Sequence, residues 1–274
     1  RTSKGRAIQN LINIGSDDKV KAFICTQDLK DEDYINSHYV IMATKKGQVK
    51  KTSLEQYSRP RTNGINAITI KEGDELLEAK LTTGDSQIML AVKSGKAIRF
   101  EEEKTRSMGR NASGVRGIRL NSEKDEVIGM IAINESETDV LVVSENGYGK
   151  RSSLEDYRIT NRGGKGVKTI SVTEKTGNLV AIKNVIDSDD LMIINKSGIA
   201  IRLAVENLRV MGRATQGVRL IKVRDGDAIA AVAKVMSDDE DVELDEDGNK
   251  TIPEHRESLD KASSDSSKIN EEEE

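Results

Sequence analysis

Four apolar runs recur along the chain at nearly constant distance: VIMA at 40–43, IMLA at 88–91, VLVV at 140–143 and LMII at 191–194. Each passes through a short polar turn to a glycine, Gly47, Gly95, Gly147 and Gly198, spaced 48, 52 and 51 residues apart. A second frame recurs beside it, a polar Arg-containing turn that ends in glycine and leads into a β-branched segment. Its glycines are Gly5, Gly64, Gly114, Gly166 and Gly217, spaced 59, 50, 52 and 51. Runs this short, bounded by Gly, Asn and Asp, predict strands rather than helices. A run such as Leu191 to Ile194 has no polar alternation, which predicts burial on both faces, as in an inner strand packed between neighbouring sheets.

The pattern predicts an all-β array of about fifty-residue units, each with two or three strands, five copies being visible in the second frame. Units of that size suit the blades of a propeller-like ring, with a linear β-solenoid as the competing arrangement. A polar link at Leu54 to Tyr57 returns at Leu154 to Tyr157 and more loosely at Val205 to Leu208, and predicts a short turn or half-helix between blades. The array takes up residues 1–236, and 237–274 forms a separate tail.

Composition narrows the function classes. The chain has no Trp and only 3% aromatic residues, which argues against a Trp-Asp repeat propeller and against a base-stacking single-strand binder. A single cysteine, Cys25, rules out an internal disulfide framework and any multi-cysteine metal site, and fits a reducing compartment. No apolar stretch reaches membrane length. The chain begins at Arg1 inside what reads as a repeat, so a fragment of a longer polypeptide is expected.

The net charge of −4 conceals an asymmetry. Residues 237–274 hold 16 Asp/Glu against 4 Lys/Arg, net −12, and leave the repeats at +8. Such a run repels itself and holds few apolar residues, so a disordered tail is expected, either solubilising or competing as a polyanion for the basic repeats.

Within the repeats the cations keep fixed places. Four residues before the second-frame glycine stand Arg1, Arg110, Arg162 and Arg213, and two after it stand Arg116, Lys168 and Arg219. Four residues after the first-frame glycine stand Lys51, Arg99, Arg151 and Arg202. Lys4, Arg6, Arg61, Arg119 and Lys150 flank the same frames. Equivalent positions on successive units predict a basic stripe suited to a duplex backbone, with inter-blade ion pairing as the plain alternative for any single Arg. The sharpest motif is Arg162, Gly163, Gly164, Lys165 and Gly166, where glycines allow close backbone approach to an anion and the flanking cations add charge. It is not a nucleotide P-loop, since no GxxxxGK[ST] occurs. Gly114 and Gly117 form an isolated GxxG of little specificity.

The segments MGRNASGVRGIRL (108–120), NGYGKR (146–151), VMGRATQGVRLI (210–221) and the box at 162–166 resemble the C-terminal domain of DNA gyrase A over about residues 1–236. The resemblance implies a six-bladed β-pinwheel that binds, bends and wraps duplex DNA on a basic rim, supporting negative supercoiling by the parent type II topoisomerase. It also implies the rest of gyrase A and gyrase B as partners in an A2B2 assembly, cytoplasmic nucleoid-associated localisation, and no cofactor here, ATP and Mg belonging to other parts of the enzyme. The family's main box belongs to the first blade, and no such segment precedes Arg1, so an N-terminally truncated domain is expected.

No catalytic set competes with a binding role. His38 and His255 are the only histidines, which excludes a His-rich metal site, and the five tyrosines read as packing residues. The alternatives are the equivalent C-terminal domain of topoisomerase IV and a protein-interaction propeller with an acidic partner. A glycosidase propeller would need convergent carboxylates, and none recurs.

Overall fold

The computed structural model describes residues 18–61, 63–134, 138–224 and 226–236. Lys4, Arg6, the first copy of the second frame and the acidic tail lie outside the described residues.

Each first-frame glycine turns a hairpin. Gly47 joins β1 (Tyr39–Thr44) to β2 (Gln48–Ser53), Gly95 joins β4 (Gln87–Val92) to β5 (Lys96–Glu101), Gly147 joins β8 (Asp139–Ser144) to β9 (Tyr148–Ser153), and Gly198 joins β12 (Asp189–Asn195) to β13 (Ala200–Ala204). A later strand of the same repeat pairs with the other edge of the apolar strand: β3 (Leu76–Thr82) on β1, β7 (Val127–Ile133) on β4, β11 (Leu179–Val185) on β8 and β15 (Ile229–Met236) on β12. The result is an all-β pinwheel with four antiparallel sheets among the described residues, each one blade of the repeat.

The fourth strand of a sheet comes from the repeat that follows. β6 (Val115–Arg116) pairs with β2, β10 (Val167–Lys168) with β5 and β14 (Val218–Arg219) with β9. The incoming chain is latched first by Met108 N–H to Lys51 O at 2.8 Å, Thr160 N–H to Arg99 O at 2.9 Å and Met211 N–H to Arg151 O at 2.9 Å. It then meets the first-frame glycine, through Gly117 N–H to Gly47 O at 2.8 Å, Thr169 N–H to Gly95 O at 2.9 Å and Leu220 N–H to Gly147 O at 2.9 Å. The two glycine frames are therefore the two halves of one joint. At Gly166 the joint admits no side chain, because φ is +71° and a Cβ would stand 2.5 Å from the Ala97 carbonyl oxygen.

The core lies between blades, which explains the unalternating apolar runs. Ile88, Leu90 and Val92 of β4 pack with Ile41 and Val49 of the preceding blade, whereas Met89 and Ala91 pack with Val140 and Val142 of the next. Leu141 and Val143 face the fourth blade with Leu191 and Ile193. Burying each such side chain stabilises by roughly 1.5–3 kcal/mol. The expectation of two-sided burial fails only for the fourth run: Met192 and Ile194 are half-buried, because no blade packs on that face among the described residues.

The polar links form 3-10 helices at Leu54–Tyr57, Leu154–Asp156 and Val205–Asn207, with a fourth at Glu102–Lys104 that the sequence reading did not pick out. Each buries its first apolar residue where it has one, Leu54, Leu154 and Val205. One short helix, α1 (Glu32–Ser37), capped by Asp31 accepting from Asp33 and Tyr34 N–H, precedes the first blade.

Candidate nucleic-acid interface

The joints carry the exposed cations. Arg116, Lys168 and Arg219 are the second residues of β6, β10 and β14, at equivalent register positions, and all three are exposed. Their side chains leave the outermost, two-residue strand of the first three sheets, where no further strand covers them among the described residues.

Consecutive repeats bring these cations together. Arg162 donates through Nη1 to the Arg116 carbonyl at 3.1 Å and through Nε to the Lys104 carbonyl at 2.9 Å. Arg213 repeats the contact one blade on, donating to the Lys168 carbonyl at 2.8 Å. The Arg four residues before a second-frame glycine thus lies against the backbone of the cation two residues after the preceding one. Arg61, Arg119 and Lys165 are exposed, and Arg110 is half-buried.

At the fourth residue after the first-frame glycine, three of the four cations turn inward, correcting the expectation of a stripe there. Lys51 is 6% exposed, pairs with Glu102 at 3.1 Å, donates to Gly84 O at 3.1 Å and lies 4.2 Å from the Tyr39 ring centre. Arg99 donates to the Leu154 and Tyr157 carbonyls of the next blade at 2.8 and 3.0 Å and to Gln87, and burial lowers its pKa. Arg151 is 9% exposed and pairs with Asp139 and Asp187, although burial dominates at Asp139 and raises its pKa. Arg202 stays exposed and pairs with Asp190 at 2.5 Å. Strands sandwiched between blades have no wet face, so a cation on them is buried with a partner and ties neighbours together.

Lys150, also expected on the rim, is 1% exposed, and its ammonium donates to Gly212 O at 2.5 Å. Lys50 holds the same place two blades earlier, donating to Ala67 O at 2.5 Å and to Arg110 O. Ile98 and Ile201 stand at that position in the other two repeats. Burial, aided by the nearby Arg110 and Arg213 charges, lowers the pKa of Lys50 and Lys150 to about 8, with Asp156 opposing the shift at Lys150. Both lysines act as posts beneath the rim turns at Arg110 and Gly212.

The Arg162 to Gly166 box is part joint and part open surface. Gly163 N–H donates to Gly117 O at 2.6 Å, and Gly164 O accepts from Arg119 N–H at 2.8 Å. The N–H groups of Gly164 and Lys165 have no partner among the described residues. They border a groove of about 270 Å³ that Arg158 and Lys165 also line, so unpaired donors and cations converge as an anion cradle requires. The GxxG at Gly114 is different: a Cβ on Gly117 would meet Val49 Cγ1 at 2.6 Å, which makes it a packing glycine of the joint.

One recurrent row escaped the sequence reading. Arg106, Arg158 and Arg209 stand eight residues before the second-frame glycine and one before Ser107, Ile159 and Val210, which bridge in parallel to Lys51, Arg99 and Arg151. All three are exposed. The count that revealed the other rows would have revealed this one.

The family profile for the DNA gyrase C-terminal domain, beta-propeller, matches residues 38–83, 87–134, 138–185 and 189–236. Each match spans one hairpin and the later strand of the same repeat. The chain is 46% identical over 241 residues to the DNA gyrase A protein of Staphylococcus epidermidis (strain ATCC 12228 / FDA PCI 1200), which covers 88% of this chain and 26% of that protein. It is 44% identical over 252 residues to the DNA gyrase A protein of Staphylococcus aureus (strain NCTC 8325 / PS 47), covering 92% of this chain and 28% of that protein. The chain thus spans about a quarter of the length of these relatives. In fold it is similar to a solved DNA gyrase A C-terminal domain, with a TM-score of 0.74, 24% identity and coverage of 85% of this chain and 76% of that one. It is similar also to the C-terminal domain of DNA topoisomerase IV, with a TM-score of 0.77, 24% identity and coverage of 85% and 71%.

Proposed function

The chain belongs to the DNA gyrase C-terminal domain family, and on that premise we propose that it binds duplex DNA along the exposed cations of its joints and bends the duplex round successive blades. The observation that carries this reading is the contiguity of charge across repeats: Arg162 on the Arg116 backbone and Arg213 on the Lys168 backbone. A cation set that continues from blade to blade suits a polyanion longer than one blade. Smoothly bending 20–30 bp by 40–90° costs of order 1–6 kcal/mol, and counterion release at several phosphates offsets it. No groove-reading helix stands among the described residues, so contacts to phosphate set position without reading sequence.

In the whole gyrase A protein, such wrapping presents a DNA segment to the strand-passage machinery and favours negative supercoiling. Gyrase B and the rest of gyrase A would be the partners, in an A2B2 assembly in the cytoplasm, with ATP and Mg bound outside this domain. The test is binding of unrelated linear duplexes across a salt series, with relaxation of a plasmid in the presence of the domain. Similar affinities, a steep salt slope and a shifted linking number after deproteinisation are expected. Pronounced sequence preference or an unchanged linking number would overturn the wrapping reading.

A further inference from the structure

Three of the four hairpin turns among the described residues are closed by an aspartate from the loop that leads into the later strand of the same repeat, β3, β7 or β15. Asp74 accepts from Lys46 N–H at 2.8 Å, Asp125 from Ser94 N–H at 3.1 Å and its hydroxyl at 2.7 Å, and Asp227 from Ser197 N–H at 3.3 Å and its hydroxyl at 2.8 Å. Each stands two residues before the first apolar residue of the strand, Leu76, Val127 or Ile229. In the third repeat that position, two before Leu179, is Gly177, and Asn146 N–H takes the Thr176 carbonyl at 3.1 Å instead. The closing carboxylate is missing from this turn alone.

Cations collect where it is missing. Arg219 donates to the Tyr148 hydroxyl through Nη2 at 2.8 Å and Nε at 3.3 Å. Arg219 Cζ and Lys175 Nζ each lie 5.4 Å from the Tyr148 ring centre. Lys222 and Arg224, from the loop that enters β15, complete a cleft of about 420 Å³. Tyr148 is 7% exposed, so its ring is a fixed floor, and the other repeats place Gln48, Lys96 and Ile199 there. The carboxylate on the cleft wall, Asp227, is already taken up by Ser197, Asn195 and the Ala228 N–H. Lys175, Lys222 and Arg224 have no ion pair among the described residues, and Arg219 keeps Nη1 free.

We propose that this cleft between the third and fourth blades is a phosphate-binding site, with Tyr148 as its floor and Lys175, Arg219, Lys222 and Arg224 as its cations. A guanidinium held in place by a buried tyrosine offers its remaining fork to phosphate oxygens, and the lysines add point charges. The phosphates belong either to the backbone of a bound duplex, in which case the site rests on the DNA-binding reading, or to a free polyphosphate compound.

The experiment titrates the 274-residue chain with inorganic tripolyphosphate by calorimetry and, separately, with linear duplex. The parent is compared with Lys175→Gln/Lys222→Gln/Arg224→Gln and with Lys30→Gln/Lys71→Gln/Lys124→Gln, which removes the same charge from exposed lysines elsewhere. The cleft variant is expected to lose about tenfold or more in tripolyphosphate affinity, from lost charge-assisted hydrogen bonds, while the control stays within about twofold. No saturable binding by the parent, or equal losses in both variants, overturns the proposal. A parallel loss of duplex affinity in the cleft variant assigns the site to duplex phosphate, and unchanged duplex affinity assigns it to a free phosphate compound. A parent that failed to bind duplex would sink the wrapping reading and leave the tripolyphosphate readout intact.

Discussion

Lys150, inside the third blade, reaches the carbonyl of Gly212 in the fourth repeat at 2.5 Å, so a rim turn of one blade rests on a charge buried in another. Lys50 supports the Arg110 turn in the same manner. Ile98 occupies this place in the second blade, where a Cβ on Gly164 would stand 3.4 Å from its Cδ1, so the fold accepts an apolar post as well.

That relation fixes a pH dependence. The folded pKa of both lysines is about 8 against an ordinary 10.5, so below pH 8 both states carry the proton and the cost of the buried charges is fully present. As pH climbs from about 8 towards 10.5 the unfolded chain holds more protons than the folded one, and stability rises. Lys50→Ile/Lys150→Ile is expected to remove this rise. Urea midpoints of parent and variant measured across the window check it, and a difference that does not change with pH refutes it.

The rim rows should govern affinity. Arg116→Gln, Lys168→Gln and Arg219→Gln together are expected to weaken binding almost equally for unrelated duplexes and to flatten the salt slope by up to about 0.9 per lost phosphate contact. Adding Arg106→Gln, Arg158→Gln and Arg209→Gln should flatten it further. Affinities across a salt series decide the matter, and an unaltered slope rejects these residues as contacts.

Arg99 should behave in the opposite sense. Its guanidinium serves Gln87 and two carbonyls of the next blade, so Arg99→Gln leaves buried acceptors unpaired and is expected to cost roughly 1–3 kcal/mol of stability. The duplex salt slope should stay as in the parent. Thermal melts and the same salt series separate the two effects; a flattened slope with unchanged melting would return Arg99 to the rim.

The joint glycines differ by position. Gly166→Ala combines a positive φ with a Cβ 2.5 Å from the Ala97 carbonyl and should cost more than the roughly 1–2 kcal/mol of a left-handed alanine. Gly64→Ala has φ +77° and nothing within 4 Å, so only the conformational cost is expected. Equal denaturation midpoints for the two variants would show that the hand-off does not constrain Gly166.

The acidic tail lies outside the described residues, and its prediction rests on charge alone. Deleting residues 237–274 removes a net −12 from a chain whose other residues carry +8 and should raise duplex affinity most at low salt, where screening is weakest. Adding the tail peptide back in trans should reverse the gain. Unchanged affinity on deletion at low salt counts against any competition.

Spacing alone made the two glycine frames, the hairpins and the inter-blade links legible. It did not show that the frames join, because the partner of Val49 is Val115, and a two-residue strand has no periodicity of its own. The same limit applied to the cations. Sequence distance from a glycine picked out Arg116, Lys168 and Arg219, which lie on an uncovered strand, and equally Lys51, Arg99 and Arg151, which lie on strands covered on both faces, where the alternation that usually separates wet from dry is lost. The phosphate cleft was less legible still, since it depends on an aspartate that three repeats have and the third lacks.

The borrowed strand puts the period of the sequence out of phase with the unit that folds. A cut at the end of one sequence period strands that blade without its edge, yet removal or insertion of one whole period of about fifty residues leaves every remaining joint with a proper donor and acceptor. Such an array can change its number of blades by duplication or loss while no interface has to be reinvented, and with each step the length of polyanion it can span changes by one blade.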